Sequence, residues 1–319
     1  MSALNTPSAS DWSSHSVNYD TRSHPDSSRP NATSEAPTQG MIRRAFIDHF
    51  LPLIDQLLSY NLDTNEARVA PFKLHDSMCG TGAELTALLE HYAEGKGRTL
   101  ARNGKLQIVA TDFAQGMVDS AKAKVKHFDQ VEQMVDFGIV DVMNVPYPDN
   151  HFDVDTMIMG PGLVPDPDKA MAESVRVLKA GGLALYAQPY DIQGWDFFNE
   201  PLQTLGFLSK GSPKMQDLPM LAAFRDVEAV KGRLERAGLH KDSIQHAFSE
   251  DYYTCSDIVK FTSDLFANPG MRAAFLPLLN EDQRSQVRDE AIRMVHEKYP
   301  DGVARLKHVV AVWWGYKPT

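Results

Sequence analysis

The stretch Leu74-His75-Asp76-Ser77-Met78-Cys79-Gly80-Thr81-Gly82 constrains this chain most, because it joins a short apolar run to two glycines and then to a helical pattern. Residues 72–76 read as a strand, Gly80-Thr81-Gly82 as a tight turn, and Leu85, Leu88, Leu89 and Tyr92 as one face of a helix. A strand that turns through glycines into a helix starts a βαβ unit, and in an open sheet such turns sit at the carboxyl ends of the strands, where ligands bind. Glycine at 80 and 82 lets the backbone approach a ligand that a Cβ would hold off. A dinucleotide fingerprint needs a third glycine at position 85, which is Leu85 here. Asp76 narrows the ligand further: a carboxylate at this strand end repels a pyrophosphate and attracts a cationic amino-acid cofactor.

The same alternation continues down the chain. Residues 105–112 read as a second strand, Met117, Val118, Ala121 and Val125 as a helix face, 135–141 as strand three and 152–159 as strand four. Residues 167–178 form a helix stopped by Gly181-Gly182, with strand five at 183–187, a helix over 227–234, a strand near Ile244 and a last strand over 308–316. This order predicts an α/β fold with a doubly wound, Rossmann-like, mostly parallel sheet of seven strands. Before it, Ile42, Phe46, Phe50, Ile54, Leu57 and Leu58 recur at helical spacing, with Pro52 either kinking the run or opening a second helix. Residues 1–40, rich in Ser, Pro, Asn and Thr, read as a flexible tail that could fold over a ligand, leaving 41–319 as the folded domain.

Composition excludes several functions. Two cysteines among 319 residues, Cys79 and Cys255, make neither a disulfide framework nor a four-ligand zinc site, so a reducing, cytoplasmic setting without structural metal is expected. The chain shows no leader pattern and no apolar span of membrane length. A net charge of -10 argues against tracking phosphates, hence against nucleic acid, and favours a small neutral or cationic acceptor.

Two further carboxylates follow strand ends. Asp112, an acceptor-only group ending strand two, suits the paired hydroxyls of a ribose, although it lies about 30 positions beyond Gly82 against roughly 20 in a compact unit, so residues 95–103 look inserted. Asp141 could bond an adenine amino group while Val142 covers the ring, and either acid could instead cap a helix.

Asp76 to Gly82, Asp112 with Gln115-Gly116-Met117, Asp141-Val142-Met143, and Val164-Pro165-Asp166-Pro167 leading to Arg176-Val177-Leu178-Lys179-Ala180-Gly181-Gly182 together resemble the class I S-adenosylmethionine-dependent methyltransferases over about 110 residues. The chain from Met41 to its ending Gly315-Tyr316-Lys317-Pro318 looks most like fungal secondary-metabolite methyltransferases such as the gliotoxin thiomethyltransferase group. The resemblance implies S-adenosylmethionine as cofactor and S-adenosylhomocysteine as product. It implies that Asp76, Ser77, Cys79, Gly80 and Gly82 surround the methionine end, Asp112 the ribose, Phe113 and Met117 an adenine face, Asp141 and Val142 the adenine edge, and Met159 and Gly160 the sulfonium. Met78 stands where many relatives carry glycine or alanine, and its bulk is expected to narrow the pocket floor.

Methyl transfer needs alignment and dry surroundings more than a base. Candidate bases, for an acceptor that arrives protonated, are Tyr190, Asp191 and His246, each of which reads more readily as a solvated loop or structural residue than as a base. Segments near 193–222 and 256–298, apolar and helical, are expected to add a cap over the substrate. Non-methylating use of the fold, for instance as a pericyclase, and a protein or regulatory methyltransferase are the alternatives.

Overall fold

The computed structural model describes residues 8–11, 13, 42–64, 70–94, 104–129, 131–209, 222–267, 276 and 279–319. A π-helical turn at Phe46–Phe50, closed by the Leu51 N–H on the Phe46 carbonyl, runs into helix α1 (Leu51–Thr64). The turn widens just before Pro52, whose missing N–H interrupts the regular ladder.

Strand β1 (Phe72–Asp76) leads to α2 (Ala83–Glu94), β2 (Leu106–Asp112) to α3 (Gln115–Val125), and β3 (Val135–Ile139) to β4 (Phe152–Ile158). Then follow α4 (Pro167–Val177), β5 (Leu178–Ile192), α5 (Asp196–Thr204), α6 (Val227–Ala237), β6 (Gln245–Cys255), α7 (Ile258–Ala267), α8 (Glu281–Lys298) and β7 (Ala304–Tyr316). The sheet order is β3-β2-β1-β4-β5-β7-β6, with β1 to β5 parallel and β7 inserted antiparallel between β5 and β6. From β1 the chain winds outward in one direction to β3 and then returns to β4 on the other side. That reversal opens a crevice above β1 and β4, the switch point where ligands bind in such sheets.

Both faces are covered, so β4 is buried along its whole length. Leu183, Leu185 and Ala187 point to the layer that holds Phe46, Phe50, Leu85 and Leu88, while Ala184 and Tyr186 point to the layer of Met171, Val175, Val230 and Leu234. That alternation is the two-residue period of a strand.

The structure moves several expected boundaries. β3 stops at Ile139, leaving Asp141 in the following turn. β4 stops at Ile158 because Met159 takes a left-handed φ of 59°. The Gly181-Gly182 pair does not separate helix from strand. Leu178 is already extended and pairs with Phe152, after which the register jumps to Val154 opposite Leu183, so 179–182 bulge out. Gly181, at φ 73°, gives its N–H to the Lys317 carbonyl at 3.0 Å. β5 then runs on to Ile192, well past 187, and β7 begins at Ala304 rather than 308.

Helices α5, α7 and α8 share a separate apolar cluster around Phe198, Leu202, Phe266, Val287 and Ala291. They connect at the carboxyl end of β5 and between the ends of β6 and β7, the end of the sheet on which the crevice opens. The expected insertion at 95–103 and part of the expected cap, 210–221, lie outside the described residues, as does most of 1–40. Four of the five described residues of that tail, 9–11 and 13, are helical, and the Ser13 hydroxyl accepts the Gly116 N–H at 3.1 Å. No helix among the described residues is long and apolar enough to cross a membrane.

Candidate functional site

A cavity of about 530 Å³ lies over the carboxyl ends of β1, β2 and β4, a volume within the range of small-molecule sites. Asp76, Ser77, Cys79, Gly80, Asp112, Phe113, Met117, Asp141, Val142, Met159 and Gly160 all line it, as does Met78. Gly82 does not. At φ 84° it faces α3, where a Cβ would come within 3.2 Å of the Ala121 Cα, so this glycine serves close packing between elements rather than the ligand. Gly80 serves the cavity: its φ is 52°, and a Cβ built on it would meet nothing within 4 Å.

Asp112 braces the site. One carboxylate oxygen accepts the Gly80 N–H at 3.1 Å and the other the Ala114 N–H at 3.0 Å, tying the glycine turn to the start of α3. Burial raises its pKa, and the backbone donors of Ala114, Gly80 and Phe113 pull the other way. One lone pair of the carboxylate is left for a ligand hydroxyl. Asp141 is exposed and turns on itself, accepting from the Met143 N–H at 2.9 Å and the Asn144 amide at 3.2 Å. The Cys79 thiol is pushed well up by burial and by the charges of Asp76, Asp112 and Glu84, which rules it out as an activated nucleophile at neutral pH.

Beneath the cavity a closed polar network fixes the strand ends. His75 is fully buried, with Nδ1 at 2.7 Å from Asp155 and Nε2 at 2.9 Å from the Thr111 hydroxyl. Ser174 donates to the other Asp155 oxygen at 2.6 Å and meets the Tyr186 hydroxyl at 3.0 Å. The His75 ring stacks on Phe152 at 4.7 Å. The network joins β1, β2, β4, β5 and α4, and so holds Asp76 and Ser77 where they face the ligand.

The three candidate bases are not brought to the cavity. Tyr190 packs edge-to-face on Phe248 at 4.8 Å under the Arg225 guanidinium, and Asp191 is exposed beside the irregularity where β5 slips against β7. His246 lies on β6, the far edge of the sheet and three strands from β4. Among described residues, 193–209, 256–267, 276 and 279–298 line none of the cavity. Sequence reasoning missed Glu84, Ser8 and Ile42, which line it as well. The only signal for Glu84 was a charge at the start of an otherwise apolar helix face.

A carboxylate at the end of β1 and another at the end of β2, with a glycine turn between them, stand at the crevice of a doubly wound sheet whose β7 is antiparallel, the residues on which the chain resembles the class I S-adenosylmethionine-dependent methyltransferases. Residues 76–186 match the family described as "Methyltransferase domain", a span that begins at Asp76 and ends at Tyr186. The chain is 28% identical to the demethylmenaquinone methyltransferase of Bacteroides fragilis over 211 residues, covering 60% of this chain and 81% of the relative. It is 32% identical to the ubiquinone/menaquinone biosynthesis C-methyltransferase UbiE of Shewanella baltica over 126 residues, 40% of this chain and 45% of that one. Among solved structures, the [4+2]-cyclase SpnF aligns over the whole of both chains with 18% identity and a TM-score of 0.46. The protein is an S-adenosylmethionine-dependent methyltransferase. Its cavity suits that cofactor: buried carboxylate oxygens of Asp76 and Glu84 that find no hydrogen-bond partner offer acceptors to a cation, and Gly80 leaves room for close approach.

Proposed function

We propose that the enzyme methylates an oxygen, nitrogen or sulfur atom of a small hydrophobic metabolite, as in fungal secondary metabolism and in the manner of the gliotoxin thiomethyltransferase group. The observation that carries this reading is the division of the cavity wall. Carboxylates gather around the glycine turn, while Ile139, Val142, Met143, Leu163, Val164 and Pro165 supply an apolar remainder with no lysine, arginine or histidine among the described lining residues. An apolar wall binds an apolar acceptor by area removed from water. The named bacterial relatives are a demethylmenaquinone methyltransferase and a C-methyltransferase of ubiquinone and menaquinone biosynthesis, which supports an apolar acceptor and leaves the acceptor atom to the label test.

In this reading Asp76, Ser77, Cys79 and Gly80 hold the methionine end, Asp112 the ribose, Phe113 and Met117 a face of the adenine, Asp141 and Val142 its edge, and Met159 with Gly160 border the sulfonium. The cofactor supplies an electrophilic methyl group on sulfur. The protein aligns the acceptor and keeps water out, which can provide most of the acceleration. The described lining offers no histidine or lysine base, which suits an acceptor that arrives as a ready nucleophile.

Calorimetric titration with S-adenosylmethionine and S-adenosylhomocysteine, with NAD as control, tests the site assignment, and transfer of labelled methyl to a panel of phenols, amines and thiols tests the acceptor. Micromolar binding of the first two ligands alone and label on one apolar heteroatom acceptor are expected. Label found only on carbon, protein or nucleic acid would overturn the acceptor reading.

A further inference from the structure

Glu84 sits in the first turn of α2, is 3% exposed, and lines the cavity. A carboxylate at a helix start ordinarily caps the free amides there. This one does not: neither of its oxygens makes a hydrogen bond of normal geometry, and the Thr156 hydroxyl beside it, which draws its pKa down, gives its proton to the His75 carbonyl at 3.3 Å. Asp76, 1% exposed and lining the same cavity, has one oxygen in the same state, Oδ2. No lysine, arginine or histidine among the described residues lines the cavity to neutralise the pair. Burial first, then the charge of Asp76, pushes the Glu84 pKa well up; burial, then Asp112 and Asp155, does the same to Asp76. An acid kept in such surroundings with no donor costs stability. A role confined to packing would be served better by glutamine or leucine.

We propose that Glu84 and Asp76 together seat the α-ammonium group of the cofactor, Glu84 being a binding residue that the glycine-turn motif does not include. Three oxygens lack donors, Asp76 Oδ2 and both of Glu84, and an ammonium brings three N–H donors and the opposite charge. The assignment rests on S-adenosylmethionine as the cofactor. It gives the pocket a preference for ligands that carry a free amino group over adenosine thioethers that lack one.

The test compares wild type with Glu84→Gln, which keeps the shape and removes the charge, using S-adenosylhomocysteine and 5′-methylthioadenosine, a thioether without the amino-acid end. The variant should bind S-adenosylhomocysteine at least tenfold more weakly, bind methylthioadenosine as wild type does, and, without ligand, melt at or above the wild-type temperature because a poorly satisfied buried acid is gone. Unchanged S-adenosylhomocysteine affinity, or equal loss for both ligands with a lower melting temperature, would overturn the proposal. Asp76→Asn, read in the same way, serves if Glu84→Gln does not fold. Failure of wild type to bind either ligand would instead strike at the cofactor site itself, so the two failures are distinguishable.

Discussion

The thioether of Met78 fills the space that a side chain on Gly160 would need: a methyl group built on Gly160 would overlap the Met78 sulfur and its terminal carbon. Met78 is therefore matched by a missing side chain opposite it, and its bulk reaches the cavity floor at a point where β4 has just ended. Gly160→Ala should displace the Met78 thioether, at only a small loss of stability because the free end of a flexible side chain gives way, and weaken S-adenosylhomocysteine binding. Met78→Ala in the same chain should restore most of both losses. A double-mutant cycle on melting and calorimetry reads the coupling, and strictly additive effects would show that the two residues do not share that space.

Asp112 holds two backbone amides as well as facing the cavity. Asp112→Ala removes both acceptors from buried N–H groups, at about 1–3 kcal/mol each if they stay dry. Cofactor affinity should fall below detection in calorimetry while circular dichroism still shows the folded sheet. An unchanged affinity would remove Asp112 from the ribose site.

His308 predicts acid sensitivity. It is 2% exposed on β7, lies parallel to Tyr253 at 6.4 Å, and burial lowers its pKa to about 4 although Asp251 pulls it upward. In the unfolded chain a histidine titrates near 6.5, so between about pH 6.5 and 4 the unfolded state binds the extra proton and stability falls as pH falls. The loss reaches about 3 kcal/mol when the native pKa is passed. Urea melts at pH 7 and pH 4.5 should show it, and His308→Phe should reduce the slope.

His75 and Asp155 form a buried pair at 2.7 Å. His75→Ala leaves the Asp155 carboxylate to Ser174 and a distant Ser77, and should cost about 3–5 kcal/mol, the usual penalty for orphaning one member of a buried pair. His75→Phe in an Asp155→Leu background should recover much of this in urea melts, since a well-packed apolar pair can replace a buried hydrogen-bonded one.

What the sequence makes legible is local. β1 can be read to the residue because apolar run, acid and glycines follow each other directly, and the faces of α2 and α3 follow from a spacing of three and four. Leu178 was hidden because bulge and strand look alike in one dimension: a Gly-Gly pair reads as a break, yet the strand pairs on both sides of it. His246 looked eligible as a base only because position along the chain gives no lateral order, and β7 is threaded between β5 and β6. Glu84 passed unread because a charge at a helix start has an ordinary explanation, and only its missing donors remove it. Gly82 was assigned to the ligand when the approach of Ala121, from a helix more than thirty residues on, is what requires it.

The halves of the sheet end at different heights. β4 stops at Ile158, opposite Ala187, while β5 continues to Ile192 with β7 alongside and α5, α7 and α8 attached beyond it. Every carboxylate of the cofactor crevice belongs to the lower half or the turns just above it; the overhang has its own apolar cluster and contributes no described wall to the crevice. The grip on the cofactor and the overhang are therefore mechanically separate: side chains of α5, α7 and α8 can be exchanged without touching the carboxylates or the glycine turn of the crevice.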